Sequence, residues 1–146
     1  MLFFAYMWLT YAIFSAVFAA LVAIFGKLGL SKVDSTLATT IRSLVMALFL
    51  VLVTLSLKKF QGFTINELSG KQWLYIVLAG VAGALSWLFY FAALKSGQAT
   101  KVAAIDRLSI VFVLIFAVLF LGESFKVKPA IGAALMALGA ILMSIK

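Results

Sequence analysis

From Met1 to Gly26 the chain carries no charged residue, a stretch long enough for one helix across ~30 Å of hydrocarbon. It lacks the positive leading region and small-residue cleavage site of a signal peptide, so it is expected to stay as a true span. Four further apolar stretches follow, separated by short runs that hold most of the charge. They predict helices at about 3–25, 35–57, 72–94, 102–121 and 129–145, in one domain covering 1–146. Pro129 falls in the first turn of the fifth, where a helix tolerates it. The longest loop is 60–71. No internal repeat, linker or low-complexity segment interrupts the pattern.

Composition closes off the alternatives. Apolar residues make up 66% of the chain and charged residues 11%, against roughly 25% charged in average globular chains. A soluble fold of this length would leave much of that apolar surface in water. A β-barrel would show ~10-residue stretches of strict alternation, whereas Ile131–Leu142 is apolar all round. The expected fold class is therefore an all-α integral membrane protein, a bundle of five transmembrane helices with the lipid bilayer as its first partner. Cysteine and histidine are absent, which removes thiol nucleophiles and the commonest zinc ligands. The net charge of +8 is scattered in ones and twos between apolar runs. A nucleic-acid surface needs its basic residues on one face, so no nucleic acid is expected.

Three ionisable residues enter the spans: Arg42, Asp106 and Arg107. Such residues cost ~2.5–3.5 kcal/mol each at a helix centre, and they imply function or a paired partner. Leu108 to Leu121 supplies only ~21 Å of helix, so Asp106 and Arg107 must enter at least the edge of the hydrocarbon. Adjacent residues point about 100° apart on a helix. The economical arrangement pairs Asp106 with Arg42 across helices while Arg107 snorkels to the interface. That pair is either purely structural or part of a water-filled cavity in which Asp106 binds a proton or a cationic group. Trp87 and Tyr90 lie at nearby levels on the third helix and are candidates to line such a site; the alternative is an interfacial aromatic belt. Trp8 and Trp73 belong to the belt.

Gly80 and Gly83 on the third helix, and Gly132, Ala133, Ala137 and Gly139 on the fifth, recur at helix-packing intervals. In lipid, helices associate by close backbone approach at small residues. These faces serve packing inside one bundle or an interface between subunits. Loop lysines divide evenly: Lys58, Lys59, Lys71, Lys126 and Lys128 on the side of the amino terminus, and Lys27, Lys32, Lys95, Lys101 and Lys146 on the other. Lys and Arg normally accumulate on the cytoplasmic side; here the signal is balanced, as in a chain that inserts both ways.

The segment Ser86-Trp-Leu-Phe-Tyr-Phe-Ala-Ala-Leu-Lys-Ser-Gly-Gln-Ala-Thr-Lys-Val-Ala-Ala-Ile-Asp106, then Leu119-Phe-Leu-Gly-Glu123 and the Gly132…Gly139 helix, resembles the EamA-type domain of the drug/metabolite transporter superfamily. The likeness extends over all five helices and includes Ile41-Arg-Ser43 and Asp106-Arg-Leu-Ser109. Larger members carry two five-helix halves, which an odd helix count makes inverted relative to each other. This chain is similar to the short kind with a single half of that inverted-repeat plan. Ile110 stands where a proline often interrupts the fourth helix. The resemblance implies export or exchange of small metabolites or drugs in the cell membrane of a prokaryote. It also implies a partner, itself or a paralogue, in an antiparallel dimer.

The leading expectation is thus a secondary transporter for a small-molecule solute. A non-transporting accessory or scaffolding membrane subunit is the alternative. An enzyme is not expected, because His-Glu-x-x-His, Gly-x-Ser-x-Gly and a carboxylate pair within one helix turn are all missing. No cofactor is implied, and with no ATP-binding signature uphill transport would draw on an ion gradient or on exchange.

Overall fold

The computed structural model describes residues 2–64 and 67–145; Lys146, counted above among the orientation charges, lies outside them. The described chain is helical, with α1 (Leu2–Gly29), α2 (Ser35–Ser56), α3 (Gly70–Ser96), α4 (Ala99–Asp106), α5 (Ser109–Leu121) and α6 (Val127–Ser144). No strand occurs among the described residues. Five segments are long and apolar enough to cross a membrane, with α4 and α5 together forming the fourth.

Gly29–Lys95 makes one compact unit, containing α2 and α3. Asp34 starts α2 as its N-cap: one carboxylate oxygen accepts from the amides of Thr36 at 2.9 Å and Leu37 at 3.1 Å. These satisfy two of the donors that a helix start leaves open. The Leu37 amide foremost, then the Thr36 amide and the Lys95 ammonium, hold the Asp34 carboxyl below its ordinary value against opposing desolvation. At the end of α3, Lys95 Nζ donates to Val33 O at 2.6 Å, beside that cap. The start of α2 therefore meets the end of α3, and the two helices run antiparallel.

Met1–Leu28 and Ser96–Lys146 make the other unit. Lys27, in the last turn of α1, donates to Gly97 O at 2.7 Å. Lys101 of α4 donates to Ser144 O at 3.0 Å and Ile145 O at 3.4 Å, at the carboxyl end of α6. Cations at a helix carboxyl end meet both its open carbonyls and its dipole. Helix α6 packs on both α4 and α5. Its buried positions are Ala133 and Ala140, and that of α4 is Ala104, so helix contact in this unit runs through alanines small enough for close approach.

The fourth span begins earlier than the sequence suggests, at Ala99, and is not one continuous helix. At Arg107–Leu108 the ladder tightens: Arg107 N donates to Ala104 O, Leu108 N to Ile105 O, Ile110 N to Arg107 O and Val111 N to Leu108 O. These are three-residue steps of the 3₁₀ kind, usual where a helix is interrupted. The division arises without proline, one residue from Ser109 and two from Ile110.

Two helix ends use the same left-handed turn with different residues. Gly122, at φ 67°, ends α5 and lets Glu123 N donate to Ala117 O at 3.2 Å. Lys58, at φ 54°, follows α2 and lets Lys59 N donate to Thr54 O at 3.0 Å. An L side chain in this conformation costs roughly 1–2 kcal/mol, which glycine avoids. Gly122→Ala is accordingly expected to destabilise the protein by about 1 kcal/mol and Lys58→Gly to stabilise it by a similar amount. Reversible unfolding in detergent measures both; equal effects of one sign would contradict the turn assignment.

Candidate functional site

Arg42 lies two turns into α2, ~11 Å of helix from Ser35. The antiparallel partner brings α3 aromatics against it. Its guanidinium carbon sits 3.7 Å from the centroid of the Trp87 ring and 5.4 Å from that of Phe91. Trp87 makes edge contacts with Tyr90 at 5.5 Å and with Phe91 at 5.8 Å, and Tyr90 lies 6.2 Å from Phe91. Phe91 is buried. The three rings form one cluster because positions i, i+3 and i+4 share a helix face. Cations are drawn to aromatic faces by the ring quadrupole, by ~0.5–1 kcal/mol when exposed and ~2 when desolvated. The cation over these rings is the chain's own Arg42.

The unit thus brings together three residues singled out in the sequence, Arg42, Trp87 and Tyr90. Phe91 is the member that sequence reasoning missed; its spacing from Trp87 was the available signal. One nitrogen of the guanidinium, Nη1, is buried and has no hydrogen-bond partner among the described residues.

Asp106 and Arg107 belong to the other unit. Asp106 is the last residue of α4 and Arg107 its C-cap, both exposed, at the interruption of the fourth span. From Ala99 the break is ~12 Å along the helix axis. The same unit holds a groove of about 790 Å³ between α5 and α6, walled by Val113, Ala117, Gly132 and Met136, with Glu123 and Lys126 of the connecting loop in its lining. Among the expected packing residues, Ala133 is buried, Ala137, Gly139 and Gly83 are half-buried, and Gly80 and Gly132 are exposed. A Cβ added at Gly80, Gly83, Gly132 or Gly139 would meet nothing within 4 Å.

Helices of this number, length and apolarity define a multi-pass membrane protein. The EamA-like transporter family matches residues 6–145, and the chain belongs to that family. A Sinorhizobium sp. protein, "Uncharacterized transporter in cobO 3'region", is 42% identical over 138 residues, covering 94% of this chain and 96% of the relative. No solved structure matches the chain. Family and relative together place it among membrane transporters, the leading function class expected above.

The Arg42–Trp87 stack makes a measurable claim. In a double-mutant cycle combining Arg42→Gln with Trp87→Leu, thermal unfolding in detergent is expected to return a coupling of about 0.5–2 kcal/mol. Additive effects would show that the stack contributes nothing.

Proposed function

We propose that the protein is a secondary transporter for the export or exchange of small metabolites or drugs in a prokaryotic cell membrane, working as two oppositely oriented copies. The observation that carries this reading is the divided fourth span, with Asp106 and Arg107 at the break. In many carriers, discontinuous helices near the membrane midplane put charged groups and freed backbone beside a solute cavity; irregular backbone at that depth is tolerated only where protein or water meets it. Asp106 is the only carboxylate inside the spans, and in this reading it binds a proton or a cationic group. Arg42, Trp87, Tyr90 and Arg107 are the other residues assigned in this reading to meeting the solute or the ion.

The antiparallel dimer rests on three supports. Five spans make one half of a two-half carrier inverted relative to the other. The loop lysines are balanced between the two sides. The glycines of α3 and α6 have open space where a neighbour would seat, and small residues in lipid favour close helix contact. Inverted copies around a midplane site make the outward- and inward-open states nearly equal in energy, which is what alternating access requires.

Asp106→Asn keeps the shape and removes the charge. Counterflow in proteoliposomes with pooled metabolites is expected to fall at least about tenfold, the value of one charged hydrogen bond, with thermal unfolding unchanged. Transport at the original rate would end the role of Asp106; loss of the fold would make it a structural charge instead.

Assembly has its own test. Two or three lysines added to one side's loops are expected to trap the chain in one orientation. Oppositely trapped variants should each be inactive and recover transport when co-expressed. A reporter at the carboxyl end that reads only one side of the membrane in the native chain would exclude the homodimer and leave a paralogue as the partner.

A further inference from the structure

The polar side chains around Arg42 have their donors occupied within their own helix. Thr39 Oγ1 donates to Ser35 O at 2.8 Å, Thr40 Oγ1 to Thr36 O at 2.9 Å and Ser43 Oγ to Thr39 O at 2.8 Å. These hydroxyls need nothing further from the hydrocarbon. Arg42 is different. The guanidinium carbon lies over the Trp87 ring, 3.7 Å from its centroid, while the buried Nη1 has no hydrogen-bond partner among the described residues. A buried charged donor left open costs far more than a neutral one. A guanidinium presents five donors in a rigid fork, so a carboxylate at one edge still leaves the other edge open. The complement of that fork is an oxyanion, met in the plane by two parallel N–H···O bonds.

Charge within the spans points the same way. Neither α2 nor α3 contains a carboxylate, so the positive charge of Arg42 is one that a singly charged anion neutralises. The rings beside the guanidinium are Trp87 and Phe91, with Tyr90 against Trp87, a surface suited to the apolar body of an organic acid rather than to a hydrated inorganic ion. We propose that Arg42, held against Trp87, receives at Nη1 the oxyanion of a small organic anion, a carboxylate or a phosphate ester, and that this is the class of solute the protein handles. The assignment deepens the transporter reading and rests on it for the word solute, but the anion site itself can be measured without transport.

The probe is Trp87, made the sole tryptophan by Trp8→Phe and Trp73→Phe, with the protein in an alkyl maltoside free of phosphate. Benzoate is expected to change its fluorescence saturably and benzylammonium to leave it unchanged. Arg42→Gln should weaken benzoate at least about tenfold. Arg42→Lys should weaken it less, since it keeps the charge and loses the fork. Circular dichroism shows whether each variant is folded, and if the glutamine variant is not, the lysine variant carries the comparison. No saturable response to benzoate, or a response to benzylammonium, overturns the proposal. So does equal affinity in the folded arginine variants. Phosphatidylglycerol that abolishes the benzoate response at stoichiometric amounts identifies a lipid headgroup site and also overturns it. Arg42-dependent binding of benzoate without any counterflow in proteoliposomes would uphold the anion site while removing the transporter reading.

Discussion

Hydrocarbon offers no water to a backbone amide or carbonyl, and that constraint governs where this chain can bend, end or place a charge. Inside α2 even the side-chain hydroxyls comply, with Thr39, Thr40, Ser43, Thr54 and Ser56 each donating to a carbonyl four residues back. At the ends the open groups are met by specific side chains: the Asp34 carboxylate on amides of α2, Lys101 on the last carbonyls of α6. Lys27 and Lys95 reach the connecting segments at Gly97 and Val33. Lysines that flank the apolar runs in the linear chain are thereby also structural ties.

Against that background two departures stand out, one in each compact unit. The fourth span gives up its regular ladder at Arg107–Leu108, directly after the only intramembrane carboxylate. Arg42 keeps its helix regular but carries a guanidinium that lies over the Trp87 ring and whose Nη1 has no hydrogen-bond partner among the described residues. A chain selected only to sit in a bilayer would gain from removing both. Their presence in a member of a transporter family fits groups that meet a solute or an ion. The difference in kind between them also matters: a broken helix frees polar backbone, while a guanidinium held against an aromatic ring has a fixed direction of recognition.

The apolar spans, their number and the helical class were legible from the residues alone, because length against bilayer thickness and the lack of strict alternation admit few other solutions. The charged residues Arg42, Asp106 and Arg107 were legible as candidates for the same reason: each stands out against an apolar run. The resemblance through Ser86–Asp106 and Leu119–Glu123 carried the family. The break in the fourth span was not legible. Without a proline to mark it, Ala99–Leu121 has the composition of one helix, and the three-residue hydrogen-bond steps that divide it leave no trace in hydropathy.

What the sequence by itself determined, then, is an α-helical membrane chain of five spans with three charges inside them, since transfer energies depend on residue type and run length. What only the tertiary structure decided is the company those charges keep. Trp87 and Tyr90 read as a cation site in one dimension; in three, the antiparallel run of α2 and α3 sets Arg42 over Trp87 and adds Phe91. Pairing between helices depends on register and rotation, and an apolar run constrains neither, because all faces of such a helix are equally at home in lipid.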